Sequence, residues 1–302
     1  MAIDLQPDRV RVAHIVRNGP ARPRVTALRA VERTGSESED LAHLRKSLGL
    51  QGHRCTTALD AGAYHVVQLP APAVPANEVK EALRWAVKDA LDFPVDEAVL
   101  DCLQIPSDGT RTGRPALVLA VAARRERVRS RVQAFQRAGV ALQAIDVAET
   151  GQRNLAALFE QPDRGLAFIA FDDRRGLLTF SRNGELYALR HIDVGAKALS
   201  DSAPPEARQQ LFERIALELQ RSLDNFDRQF SQVALQCLLV APYEGRDALV
   251  AYLRQNLAPP VESAALESVF DHEDGAVFGS EAEQAAWLPA LGLALRQETT
   301  TA

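Results

Sequence analysis

Apolar and polar residues alternate in short runs through the first 70 residues of the chain, and turn-forming residues separate these runs. The stretch from Val10 to Val16 predicts a half-buried strand, and a second run near Val25 to Val31 can pair with it. A serine followed by acidic residues at 36–39 predicts the start of a helix that Gly49 ends. Further strands are expected at 54–59 and 63–69. A proline-rich crossing at Pro70 to Pro75 then predicts a subdomain boundary.

Residues 77–140 have the order helix, strand, strand, helix. Asn77 is expected to cap the first helix, whose apolar residues recur at helical spacing from Val79 to Ala90. Gly139 is typical of a helix end. This order predicts a small α+β subdomain inserted into the first half of the chain.

The second half begins after a break at Gln161 to Gly165 and repeats the order of the first half. Strands are expected at 166–171, 177–181 and 185–192, followed by the longest helix at 207–230. A strand at 234–240, a helix at 247–256 and a terminal helix at 281–296 complete the half. Residues 1–160 and 161–302 are therefore expected to form two similar α/β halves, with the terminal helix packing back on the first half.

Composition narrows the possible functions. The net charge of -5 over 302 residues argues against a nucleic-acid partner, which requires a concentrated basic surface. Three dispersed cysteines exclude a disulfide framework and favour a reducing compartment. The sequence shows no secretory signal and no apolar run long enough to cross a bilayer. We therefore expect a cytoplasmic protein whose association with any membrane goes through a partner.

Several short segments together resemble a known family. They are Leu69-Pro70, Glu78 to Trp85, Phe93-Pro94, Asp96 to Asp101, Val121-Ala122-Ala123, Ala138-Gly139, Ile145-Asp146, Gly184, Arg190-His191-Ile192, Gly195, Glu218 to Leu223, and Ala290 to Arg296. In this order and spacing they are similar to the PilM group of type IV pilus assembly proteins. The nearest likeness is to the MshI proteins of mannose-sensitive haemagglutinin (MSHA) pili, and the cytoplasmic part of GspL is a more distant relative.

This resemblance implies the α/β actin-like ATPase (ribonuclease H-like) fold, with two related halves around a nucleotide cleft. Such a cleft needs two hairpins that carry Asp-x-Gly and a glycine-rich turn for the adenosine. The first hairpin keeps Asp4 and the basic Arg11, but Gln6 replaces the glycine and Pro7 removes an N–H donor.

The other two nucleotide motifs depart further from the family pattern. Ala170 replaces the magnesium-side aspartate, and the anionic Asp172 replaces the glycine. Asp172 and Asp173 form either a displaced metal pair or, as we favour, a solvated turn. Proline and tyrosine in Ala241-Pro242-Tyr243 obstruct close approach of an adenosine.

Gly195, Glu218 and Arg221 match family positions, either as remnants of the cleft or as residues that shape that side of the subdomain. We therefore expect neither ATP nor Mg²⁺ as a cofactor, and no enzymatic activity. The alternative is an active actin-like ATPase of pilus or type II secretion assembly that uses an altered cleft.

The family resemblance also implies a partner. In PilM-like proteins the N-terminal tail of a PilN-like bitopic membrane protein lies between the first half and the inserted subdomain. The corresponding groove residues are Leu69, Val79, Leu83, Trp85 and Phe93. Burial of Trp85 in the core of the insert is the competing interpretation. Other pilus assembly platform components and a second copy of the chain are further expected partners.

Two remaining features have ordinary structural explanations that we favour. His53 and Cys55 share one face of a strand, but no further metal ligands lie near them in sequence, so no metal site is expected. The basic run from Arg124 to Arg131 is either a solvated helix face or a patch that faces anionic lipid or an acidic partner segment.

Overall fold

The computed structural model describes residues 1–19, 21–75, 77–106, 116–200, 204–273 and 278–297. The chain divides into two compact units. Unit 1 consists of residues 1–11 and 30–148, and unit 2 of residues 12–29 and 149–302. The division at 148/149 lies before the boundary at residue 160 that the sequence predicts, and residues 12–29 group with the second unit.

The N-terminal sheet has six strands in the order β14-β3-β2-β1-β4-β8. The pairs β1–β4, β4–β8 and β14–β3 are parallel. Its strands are β1 (Ala2–Leu5), β2 (Arg9–Val16), β3 (Arg24–Glu32), β4 (Arg54–Ala58), β8 (Ala141–Asp146) and β14 (Asp271–His272).

The second sheet has five strands in the order β11-β10-β9-β12-β13. Its strands are β9 (Gly165–Phe171), β10 (Gly176–Arg182), β11 (Glu185–Ile192), β12 (Leu235–Val240) and β13 (Val261–Ser263). β9, β10 and β11 are antiparallel, whereas β12 runs parallel to β9 and β13. Asn183 and Gly184 both have positive φ, as a tight two-residue hairpin requires.

The two sheets repeat one topology. When β14 is left aside and the strands of each half are counted in chain order without the insert, both sheets read third, second, first, fourth, fifth. The second half therefore repeats the first, as the sequence pattern predicts.

The inserted subdomain is a three-stranded antiparallel sheet in the order β5-β7-β6. It contains β5 (Tyr64–Pro70), α2 (Val79–Val87), β6 (Ala98–Ile105), β7 (Leu117–Arg124) and α3 (Arg125–Ala138). Because β5 pairs with β7, the insert begins before residue 77, where the sequence placed its start. Asn77 is also not the helix cap, because α2 follows Glu78 and has no side-chain cap.

Apart from the short α5, which the sequence pattern did not predict, the remaining helices agree closely with that pattern. They are α1 (Glu37–Ser47), α4 (Ala148–Ala156), α5 (Ala196–Leu199), α6 (Pro205–Gln229), α7 (Arg246–Asn256) and α8 (Glu281–Ala294). Ser36 and Glu39 form a capping box at α1, and Gly139 ends α3 in the left-handed conformation that glycine adopts freely. Across the described residues, no helix combines the length and apolar character needed to cross a membrane.

The core of unit 2 contains the terminal helix α8. Leu288 and Leu291 of α8 belong to one buried cluster with Ala13 and Val25 from β2 and β3 and with Leu155 from α4. α8 therefore packs against the parts of the N-terminal strands that belong to unit 2.

Candidate functional site on the inserted subdomain and the nucleotide hairpins

One face of the insert sheet packs against α2 and forms the core of the subdomain. Leu83 and Phe93 are buried in this core, and Leu69 and Val79 pack against it as partly buried residues. Four of the five residues expected to line a groove thus belong to this core or pack against it. Leu83, at 1% exposure, supports the fold and does not face a ligand.

Trp85 lies on the opposite side of α2 and is 70% exposed. Because successive helical residues are about 100° apart, Trp85 points about 200° away from Leu83. The competing interpretation of Trp85 as a core residue is therefore wrong. Trp85 and Leu83 do not share a groove.

The other face of the insert sheet packs toward β8 and α3. Leu59, Tyr64, Ala123 and Val147 are buried there, and the partly buried residues around them are Ala63, Val66, Val121, Val128 and Ile145. We call this set the junction cluster. Its signal in the sequence was the run Leu117 to Ala123, which is apolar at every position and so predicts a strand that is covered on both faces.

Arg131 connects α3 to the end of β4 and to α1. It is only 4% exposed, donates to the carbonyl of Ala58 at 2.7 Å, and contacts both carboxylate oxygens of Asp60 at 3.1 and 3.2 Å. Glu37 lies 3.4 Å away on the same guanidinium. The basic run 124–131 is therefore not a uniform solvated face, because its last arginine is a buried structural residue.

The first arginine of this run also has a structural role. The Arg124 guanidinium stacks over the Phe93 ring at 4.4 Å and lies 3.4 Å from Asp92. Arg125 donates to the carbonyl of Asp96 at 2.9 Å. Near them is a shallow pocket of about 310 Å³, lined equally by basic and acidic side chains: Asp96, Glu97, Arg124, Arg125, Glu126 and Arg129. This balance of charge does not favour an anionic lipid headgroup.

In the first nucleotide hairpin, the side chain of Gln6 bridges the two family residues that the sequence retains. Its amide nitrogen donates to Asp4 at 2.9 Å, and its amide oxygen accepts from Arg11 at 2.8 Å. Burial raises the pKa of Asp4 to about 6, although the hydrogen bond from Gln6 acts in the opposite direction. Asp4 and Arg11 thus already have partners within the hairpin.

In the second nucleotide hairpin, the side chain of Asp172 accepts hydrogen bonds from the turn that follows it. One carboxylate oxygen of Asp172 accepts from the backbone N–H groups of Arg174 at 2.7 Å and Arg175 at 2.8 Å. Among the described residues, no group of three or more His, Cys, Asp or Glu side chains is placed to hold a metal ion. This geometry is that of an Asx turn, as expected from the solvated-turn interpretation.

Gly195 packs directly against this turn. A Cβ atom at Gly195 would lie 2.3 Å from both the backbone nitrogen of Arg174 and the carbonyl oxygen of Asp173. The next residue, Ala196, donates to the carbonyl of Asp172 at 2.7 Å. The close approach of two backbone segments is thus a sufficient reason for glycine at this position.

The remaining family positions in unit 2 lie on α6 and after β12. Glu218 pairs with Arg221 at 3.4 Å and with Arg190 at 3.5 Å. Tyr243 is 1% exposed and packs edge-on against Phe171, with ring centroids 5.4 Å apart. A buried aromatic side chain therefore belongs to the turn that should accommodate an adenosine.

The candidate pair His53 and Cys55 also has a structural explanation. Cys55 is buried, and its thiol lies 3.9 Å from the carbonyl oxygen of His53. Burial raises the pKa of the Cys55 thiol, which disfavours the thiolate form that binds metals.

The repeated sheet topology defines an actin-like ATPase fold, and comparison with known structures agrees. A solved structure of a PilM–PilN type IV pilus biogenesis complex superposes with a TM-score of 0.74. The two chains are 20% identical, and the match covers 97% of this chain and 96% of that chain. The fold predicted from the sequence is confirmed.

The sequence itself also resembles one family over part of its length. A family model for the type IV pilus assembly protein PilM matches residues 25–169, just under half of the chain. The chain is PilM-like, and the resemblance inferred from its motifs is confirmed at that level. No curated protein matches the sequence.

More distant structures were also found. The cytoplasmic domain of EpsL, an inner-membrane component of the type II secretion system of Vibrio cholerae, has a TM-score of 0.46 and 12% identity, over 94% of this chain and 93% of that chain. A Bacteroides thetaiotaomicron protein described as having an actin-like ATPase fold and unknown function has a TM-score of 0.47 and 8% identity, over 95% and 94%. At these scores they are distant likenesses only.

Proposed function

We propose that this protein is a non-catalytic scaffold of type IV pilus assembly. It binds the N-terminal tail of a PilN-like bitopic protein and is held by that tail at the cytoplasmic face of the inner membrane. The observation that carries this proposal is the likeness to PilM, in the family model over residues 25–169 and in a fold shared with a PilM–PilN complex over nearly the whole chain.

We place the tail at the junction cluster. Its rim combines half-buried apolar side chains from the insert sheet (Val66, Val121) with others from α3 and β8 (Val128, Ile145). A short extended peptide with one or two apolar residues would complete the burial of this rim. This location agrees with the family resemblance, which implies a site between the insert and the first half.

The test is binding of a synthetic N-terminal tail peptide, taken from the PilN-like protein of the same organism, to the full chain. Val66→Ala with Val121→Ala should weaken binding about tenfold, because each lost methyl pair removes apolar contact. Leu217→Ala is the matched control: Leu217 is 49% exposed and lies on α6 in the other unit. A tail that shows no binding to the unmodified protein overturns the proposal.

The absence of catalysis belongs to the same proposal. Three features support it. Gln6 forms hydrogen bonds with both Asp4 and Arg11, and the Asp172 carboxylate accepts a hydrogen bond within its own turn. The buried Tyr243 lies in the turn that would accommodate an adenosine. These side chains do not fit ATP with Mg²⁺, since phosphate requires free backbone N–H groups and magnesium requires carboxylates.

The finer assignment to an MSHA pilus and its MshI proteins rests on the sequence resemblance. Binding to other components of the pilus assembly platform and self-association of the chain also stay predictions from the sequence resemblance.

A further inference from the structure

We propose that the outer face of α2 is a second contact surface for the membrane partner, and that it takes a Lys/Arg-rich segment. This inference rests on the proposed function, because it assumes a PilN-like bitopic partner. It concerns a different surface from the junction cluster and a different part of the partner.

The surface is an apolar ledge on α2, formed by Ala82, Trp85 and Ala86. Trp85 is 70% exposed, Ala86 is exposed and Ala82 is half-buried. The two alanines lie three residues before and one residue after Trp85, so the same helix flank offers a low, flat surface beside the indole. Scattered apolar residues are ordinary on a surface, but an indole beside a flat apolar strip can anchor a partner.

Charged side chains of both signs lie around the ledge. Of the seven acidic side chains between Glu78 and Asp101, Asp92, Asp96 and Glu97 lie near the arginines of α3, which leaves four carboxylates and three cations closer to α2. Lys80 pairs with Asp101 at 3.0 Å, and Arg84 pairs with Glu81 at 3.3 Å and donates to the carbonyl of Val95 at 2.9 Å. Only Lys88 is left as a cation without such a contact in the described part of this segment.

Two carboxylates near the ledge are available to a partner. Glu78 and Asp89 are exposed, and neither forms an ion pair with any described residue. Asp89 lies in the short 3₁₀ turn that follows α2, four residues after Trp85. The run 124–131 has five arginines and one glutamate, although Arg131 is buried and Arg124 pairs with Asp92. The two unpaired carboxylates therefore favour α2 over α3 as the place for a positive ligand.

A cationic segment fits this surface better than a lipid or an acidic peptide. Tryptophan is the side chain with the strongest cation–π attraction for Lys and Arg, and carboxylates beside it add to that attraction. Anionic lipid headgroups would be repelled. The cytoplasmic residues next to a membrane-spanning helix are enriched in Lys and Arg, so a bitopic partner supplies such a segment between its tail and its membrane helix.

The experiment uses the full chain and three synthetic peptides from the PilN-like protein of the same organism. The short peptide contains the N-terminal tail alone. The long peptide continues through the basic residues before the membrane helix, and the third is the long peptide with its Lys and Arg residues replaced by Gln. The long peptide should bind about tenfold more tightly than the other two.

Variants separate the two surfaces. Trp85→Ala with Asp89→Asn should reduce the affinity of the long peptide to that of the short one and leave the short peptide unchanged. In a Trp287→Phe background, in which Trp85 is the single tryptophan, the long peptide should shift Trp85 emission to shorter wavelength and protect it from acrylamide quenching. The control Leu217→Ala should alter neither affinity.

The outcomes distinguish this inference from the proposed function. If the short peptide binds but the ledge variants leave the long peptide unaffected, or if the Gln-substituted peptide binds as tightly as the basic one, the α2 surface is refuted and the proposed function stands. If none of the peptides binds, the proposed function fails and this inference fails with it.

Discussion

At the scale of single residues, Gln6 stands where the family resemblance places a glycine. Its backbone N–H donates to the carbonyl of Arg9 at 2.9 Å. Its side-chain amide joins Asp4 to Arg11 through hydrogen bonds of 2.9 and 2.8 Å. A charged pair that could attract a ligand is thereby converted into part of the turn that connects β1 to β2.

Asp4 gives a prediction about pH. Because its pKa is raised from 3.8 to about 6, the folded protein holds the proton more tightly than the unfolded chain. Its contribution to stability is full below the ordinary carboxyl pKa and is lost as the pH rises through about 6. Asp4→Asn keeps an acceptor for Gln6 and should raise the free energy of unfolding at pH 7, by at most about 3 kcal/mol.

Urea unfolding between pH 4 and pH 7 measures this effect. The difference between the variant and the unmodified protein should grow with pH and level off above pH 6. Asp8→Asn is the control, because the Asp8 side chain is 70% exposed. Parallel pH profiles for the unmodified protein and Asp4→Asn would refute the role assigned to burial.

At the scale of secondary-structure elements, the contact between α4 and α8 depends on two facing glycines. A Cβ atom at Gly292 would lie 2.3 Å from the carbonyl oxygen of Gly151, whereas one at Gly151 would meet nothing closer than 3.8 Å. Asn154 of α4 donates to the carbonyl of Gly292 at 3.1 Å. The close approach is therefore asymmetric, and the two glycines are not equivalent.

This asymmetry predicts opposite effects for the same substitution. Gly292→Ala should destabilise the protein by about 1–3 kcal/mol, because the backbone must move to accept the methyl group. Gly151→Ala should be neutral or stabilising by up to about 1 kcal/mol, since alanine is the better helix former. Thermal or urea unfolding of both variants measures the difference, and equal effects would contradict the packing described here.

At the scale of the whole molecule, the same strand order occurs in both sheets. The insert belongs to unit 1 and has its own sheet and its own core. The insert is therefore a separately packed subdomain, while the two sheets repeat one topology.

The absence of nucleotide binding is a prediction at this scale. A ligand that binds the native state raises the melting temperature, so millimolar Mg-ATP should leave the melting temperature unchanged while the tail peptide raises it. ATP hydrolysis by the protein should not exceed that of Asp4→Ala. A clear stabilisation by Mg-ATP would favour the alternative of an active ATPase with an altered cleft.

Local signals in the sequence predicted most of the elements correctly. Ser36 and Glu39, Gly139, and Asn183-Gly184 all have the roles in the structure that their residue types predict. One error occurred where a partner distant in sequence decides the outcome. β5 belongs to the insert because it pairs with β7, about 50 residues later. The error at Asn77 is local, because α2 begins two residues further on.

The sequence by itself determined the fold class, the order of the elements and the departures from the family's nucleotide motifs, because periodicity, turn residues and motif positions are local properties. Only the tertiary structure decided which apolar residues are available to a partner. Leu83 and Trp85 are two residues apart on one amphipathic helix, yet one is 1% and the other 70% exposed. Exposure depends on what packs against each side of a helix, and that is set by contacts between elements that are distant along the chain.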